Sequence, residues 1–171
     1  MRIQNEYVFE GPSGRADLRE LFESRCRLVV YHFPFDPAWD EGCASCSHLA
    51  DHLAGAVVHL PARDTSFAAV SRAPIAKIES CRKRMGWTFP WLSSRGNTFN
   101  EDFHVTLHDG TDCDADGERP GLSVFVRDGE DVFHAYSTYR RGLDVLLGTY
   151  KPLDATPLRR HDRFPPQPAR R

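Results

Sequence analysis

The sequence predicts an α/β protein, a three-layer sandwich with a mixed central sheet flanked by helices, and three observations predict it. The run Leu28-Val29-Val30 is nearly continuously apolar, as in a strand covered on both faces. Apolar residues then recur at helical spacing twice, over Leu49, Leu53, Val57 and Leu60 and over Ile75, Ile78 and Cys81. Finally, Leu122–Val126 and Val132–Tyr136 bracket Asp128-Gly129, a strong short-range hairpin signal.

Taken in order, Tyr7-Val8-Phe9 and the glycine-flanked turn Gly11-Pro12-Ser13-Gly14 predict a short hairpin arm, followed by one helical turn within Ala16–Phe22. Arg25–Phe33 is the central strand. Two prolines, Pro34 and Pro37, prevent it from continuing, so Pro34–Glu41 is a loop that delivers Cys43. From Ser45 a bent helix or two short ones follow, interrupted by Gly55 and closed at Pro61. Ser66–Ser71 suits a second buried strand. A helix from Pro74 to about Met85 ends at Gly86, with Lys77, Arg82 and Lys83 on its polar face. Pro90 restricts Trp87–Ser94 to an edge strand or extended loop. His108–Pro120 is an acidic, mobile loop; the hairpin follows it, and Leu143–Leu147 supply a short helix.

This order, strand, loop, helix, strand, helix, hairpin, helix, is that of a thioredoxin-like sandwich. With 171 residues and 40% hydrophobic content, the chain suits one domain over residues 1–154, with an N-terminal arm over 1–24. Residues 155–171, rich in Pro and Arg, form a disordered tail. A net charge of −2 offers no electrostatic reason to expect nucleic acid or an anionic membrane as a partner. The first six residues lack the layout of a secretion signal, and no apolar run reaches the roughly 18 residues of a membrane span, so a cytoplasmic protein is expected. Five cysteines, an odd number, fit a reducing compartment better than a disulfide scaffold.

The chemistry concentrates in Gly42-Cys43-Ala44-Ser45-Cys46-Ser47, two cysteines three apart at a helix start. Unpaired N–H groups and the helix dipole favour a thiolate on Cys43, and Cys46 lies one turn on, placed to close a disulfide with it. Cys43 is therefore the candidate nucleophile and Cys46 the resolving thiol. Trp39 is placed to shield the pair, whereas Glu41 would raise the thiol pKa. His32 is either a hydrogen-bonded core histidine or a proton acceptor near the thiols; strand alternation puts at most one of Tyr31 and His32 on their side. Arg72, at the carboxyl end of the second strand, supplies positive charge to a thiolate or anion, or is a surface arginine. His48 and His52 extend the pattern to C-x-x-C-x-H-x-x-x-H, but Cys46 and His48 point opposite ways on one helix, so no metal is expected. Asp112-x-Asp114-x-Asp116-Gly117 resembles the start of a calcium loop without its final glutamate or flanking helices, and reads as a solvated acidic loop. Cys81 reads as a buried small hydrophobe and Cys113 as an exposed thiol.

Tyr31-His32-Phe33, the run Trp39–Ser47, Val70–Pro74, Arg84–Trp91 and Tyr136–Tyr139 resemble a bacterial family of uncharacterised thioredoxin-like proteins labelled predicted dithiol-disulfide oxidoreductases. The resemblance covers Tyr7 to Asp154 and implies that fold and that reaction. It departs from the family in lacking an upstream helical segment and in the loop over residues 108–121. Thioredoxins also place a cis-proline just before the strand facing the dithiol; Pro120, followed by Gly121, is the candidate for that place. The expected function is thiol–disulfide exchange with a protein or small-molecule disulfide, without cofactor, and with an unidentified thiol as reductant. Two alternatives stand beside it: a thiol peroxidase using the same cysteines, and a non-catalytic binding or scaffold protein, for which the Trp87–Trp91 edge offers a homodimer contact.

Overall fold

In the computed structural model, which describes residues 1–107 and 117–155, the chain opens with a hairpin of β1 (Val8–Gly11) and β2 (Gly14–Asp17). A 3-10 turn at Glu20–Phe22 leads to β3 (Arg27–His32). The loop then reaches α1 (Ala44–Ala56), which tightens into 3-10 turns before β4 (Thr65–Ser71). After α2 (Ile75–Met85) come β5 (Trp91–Ser93) and the single turn α3 (Phe99–Asp102). β6 (Gly121–Asp128) and β7 (Asp131–Tyr139) form the second hairpin, followed by a 3-10 run at Arg140–Leu146 and α4 (Tyr150–Asp154).

The strands form one mixed sheet in the order β2-β1-β5-β4-β3-β6-β7. β3, β4 and β5 run parallel, which requires the helical crossovers α1 and α2, and a hairpin extends the sheet antiparallel on either side. Strand alternation divides the core in two. Val29, Tyr31, Phe67 and Ala69 face α1 and α2 together with Leu49, Leu53, Ile78 and Trp91. Leu28, Val30, Ala68 and Val70 face the other way, against Phe9, Phe22, Phe99 and Phe103. The result is the thioredoxin-like three-layer sandwich that the element order predicts. No helix among the described residues is long and apolar enough to cross a membrane.

Three expectations change. β5 is internal rather than an edge: Pro90 precedes the strand, its carbonyl accepts the Ala69 N–H at 2.8 Å, and β1 covers the far side. The missing proline donor therefore costs the ladder nothing. Trp87, Phe89 and Trp91 are at most 4% exposed, so that stretch offers no edge to a second copy. The Leu143–Leu147 segment winds as a 3-10 run entered through left-handed Arg140 rather than as an α-helix; it still buries Leu143 and Leu147 against the helical side of the core. At the start of β6, Glu118 is 2% exposed and not part of a solvated loop, while Asp112, Cys113, Asp114, Asp116 and residues 156–171 lie outside the described residues.

Candidate active site

The dithiol loop springs from a fixed base. The Phe33 N–H bonds the Val70 carbonyl at 2.9 Å, and its own carbonyl accepts the Ser71 hydroxyl at 2.6 Å. That hydroxyl in turn accepts the indole N–H of Trp91 at 2.9 Å, so the ends of β3, β4 and β5 are tied together beneath the loop. The Cys43 N–H closes the loop's neck onto the Pro34 carbonyl at 3.2 Å. Asp36 Oδ1 accepts the Ala38 N–H at 2.8 Å and shapes the first bend. A Cβ at Gly42 would stand 2.6 Å from the Phe33 ring, so the chain passes here at a distance only glycine allows.

Cys43 is the residue from which α1 begins, with φ −53° and ψ 125°, and its carbonyl accepts both the N–H and the hydroxyl of Ser47 at 2.9 Å. Its sulfur is half-buried and lies 3.2 Å from Ser45 Oγ. A hydrogen bond from the Cys46 thiol, joined by the Ser45 hydroxyl and the backbone N–H groups of Ser45 and Cys46, outweighs burial and lowers the Cys43 pKa to about 6. Cys46 is the reverse case. Its proton is engaged by Cys43 and its sulfur is buried, so its pKa is raised well above the ordinary value. Tyr31, fully buried, donates its hydroxyl to the Cys46 carbonyl at 3.2 Å and anchors the first turn from the sheet. Both thiols are free, Cys43 half-buried and Cys46 buried.

The remaining sequence candidates fall in different places. His32 faces away from the thiols, because residue 31 takes the helical side. It is 1% exposed, bonds Ser123 Oγ through Nε2 at 2.8 Å and stacks on Phe99 and Phe103, so it is the core histidine and not a proton acceptor for Cys43. Trp39 packs at the margin of the same core cluster as Cys43. Glu41 pairs with Arg84 at the surface. Arg72 is engaged by Glu118 at 2.7 Å and Asp36 at 3.8 Å, while Thr106 donates to the same Glu118 oxygen at 2.9 Å; it therefore ties the loop's first bend to the entry of β6. Pro120 lies just before β6, its carbonyl accepting the Arg140 N–H at 3.2 Å, and Gly121 is the residue paired with His32. All peptide bonds among the described residues are trans. His48 and His52 share the Thr149 hydroxyl at 2.9 and 3.3 Å, and no group of three His, Cys, Asp or Glu among the described residues is arranged to hold a metal. Ser45 carries no signal of its own in the sequence, and for Tyr31 the available signal is alternation from His32.

A model of the family described as "Bacterial protein of unknown function (DUF899)" matches residues 1–170. No curated protein sequence matches the chain. Solved structures do. A cysteine-to-serine mutant of Xanthomonas campestris peroxiredoxin Q is 17% identical, with 85% of this chain and 90% of that one covered and a TM-score of 0.56. A Xylella fastidiosa PrxQ mutant is 14% identical, covering 87% and 89%, with a TM-score of 0.58. Mycobacterium tuberculosis peroxidoxin BcpB is 17% identical, covering 87% and 94%, with a TM-score of 0.58. At these identities the likeness is one of fold, a thioredoxin-type sandwich shared along nearly the whole chain.

Proposed function

The chain belongs to this bacterial family of unknown function, DUF899, and from a membership that brings no reaction with it we propose a thiol–disulfide oxidoreductase. The observation that carries the reading is the placement of two free thiols one turn apart at the head of α1, Cys43 half-buried with its sulfur 3.2 Å from Ser45 Oγ and Cys46 buried, an arrangement that lowers the Cys43 pKa and raises that of Cys46. In the first step the Cys43 thiolate attacks one sulfur of a substrate disulfide. That S–S bond breaks, and the departing sulfur leaves as a thiolate that takes up a proton. In the second step Cys46, losing its proton, attacks Cys43 Sγ and releases the other substrate thiol, leaving the Cys43–Cys46 disulfide. Two electrons have passed to the substrate, and two external thiol groups, oxidised to a disulfide, return them.

A second reading, favoured by the likeness to proteins named peroxiredoxins, uses the same sulfurs on a peroxide. Cys43 attacks one oxygen, the O–O bond breaks, and water or an alcohol leaves after protonation. The Cys43 sulfenic acid then condenses with Cys46, forming the S–S bond and releasing water. Thiol titration before and after mild oxidation, in the protein and in Cys43→Ser, tests the cycle: two thiols are lost reversibly, and in the variant no such pair is lost. An unchanged thiol count in both proteins leaves a non-catalytic scaffold and sinks both enzyme readings. Turnover with a small disulfide and with hydrogen peroxide then ranks them, and faster consumption of peroxide, abolished in Cys43→Ser, puts the peroxidase first.

A further inference from the structure

α2 runs along the outside of the dithiol loop, and three residues on one of its faces meet that loop. Lys77 Nζ donates to the carbonyl oxygens of Trp39 at 2.7 Å and Pro37 at 3.1 Å, and stands 3.9 Å from Asp40 Oδ1. One turn further on, the Cys81 thiol, 6% exposed, accepts the backbone N–H of Gly42. Arg84 then pairs with Glu41, with its Nη2 4.0 Å from Cys81 Sγ. Positions 77, 81 and 84 follow the i, i+4, i+7 spacing of a single helical stripe, so one rigid element grips the loop from Pro37 to Gly42. The bonds from Lys77 and Arg84 are charge-assisted, the stronger kind for holding backbone that has no ladder of its own.

The loop carries two carboxylates, Asp40 and Glu41, three and two positions before Cys43, and Lys77 and Arg84 stand against them. It also sets where Cys43 enters α1, and hence whether its sulfur meets Ser45 Oγ and the first N–H groups of the helix. We propose that Lys77 and Arg84 are positioning residues for the Cys43 nucleophile, holding the loop that precedes the thiol in register with α1. They act through the loop, without touching a substrate. The inference deepens the proposed function and rests on its assignment of Cys43 as the attacking sulfur.

The test is the pH dependence of Cys43 alkylation by iodoacetamide, followed by mass spectrometry on the Cys43 peptide. It is run on the full chain, on Lys77→Gln, Arg84→Gln and the double variant, and on the charge-preserving Arg84→Lys, with circular dichroism and thermal melts on each. The double variant is expected to move the midpoint up by about one pH unit and to slow alkylation at pH 6 about fivefold. Each single variant moves it part of the way, and Arg84→Lys stays near the parent. A merely structural role lowers the melting temperature of the glutamine variants and leaves the midpoint in place; that result, in the double variant or in both singles if the double does not fold, overturns the proposal. Alkylation needs neither substrate nor reductant, so a dithiol that fails to turn over with disulfide or peroxide sinks the proposed function and leaves this measurement readable.

Discussion

Tyr31 and His32 are consecutive residues of β3 with opposite surroundings. Tyr31 reaches the first turn of α1, whereas His32 is the buried end of a chain in which its Nε2 meets Ser123 Oγ at 2.8 Å, Ser123 meets Ser137 at 2.7 Å and Ser137 meets His134 Nε2 at 2.7 Å. Burial, with His134 adding to it, lowers the His32 pKa from 6.5 to about 3. Between those values the unfolded chain binds a proton that the folded chain refuses. His32 therefore contributes stability that is present above the unfolded pKa and is lost as pH falls toward the folded one. From pH 7 to pH 5 the loss amounts to about 2 kcal/mol. Urea unfolding at the two pH values should show that drop in the parent and a drop smaller by about that amount in His32→Gln; equal drops in the two proteins would count against a neutral buried His32.

At the scale of elements, the loop over residues 33–43 is held from three directions: by Ser71 at its base, by Arg72 at its first bend and by α2 along its outer side. Helical periodicity found α2 and its stop at Gly86, a left-handed residue with φ +70°. It also placed Lys77 on the polar face with Arg82 and Lys83, because a lysine at the margin of an apolar stripe looks solvated until something is known to cross above it. Gly42 had no signal of its own beyond standing next to Cys43. In Gly42→Ala the new methyl meets the rim of a Phe33 ring that is 1% exposed and cannot swing clear. Overpacking of this kind costs about 1–3 kcal/mol. A lowered melting temperature together with slower Cys43 alkylation is the expected outcome, and a melt equal to the parent's would mean that the ring yields.

For the whole molecule, the N-terminal hairpin is part of the sandwich and not an appendage to it. β1 lies against β5, and Phe9 and Phe22 are fully buried beside Phe99 and Leu28. Each such side chain contributes about 1.5–3 kcal/mol by burial, and together they approach the 5–15 kcal/mol that keeps a domain folded. A chain lacking residues 1–24 is therefore expected to lose its cooperative thermal transition. A sharp melt in that truncated chain would show that the five remaining strands suffice.

Leu28-Val29-Val30, the two helical stripes and the Asp128-Gly129 hairpin were legible because local periodicity and turn chemistry are properties of neighbours in sequence, and they led to the sandwich and to Cys43 and Cys46 at the head of α1. What crosses the fold was not legible. That β5 is internal, that Tyr31 rather than His32 stands under the thiols, that Arg72 is spent on Glu118 and that Lys77 holds the loop all depend on which distant segments pack together. The same distinction separates a C-x-x-C at a helix start from one half-buried and one buried thiol: the spacing is written in the chain, while burial and hydrogen-bond partners are settled only when β3, α1 and α2 close around it.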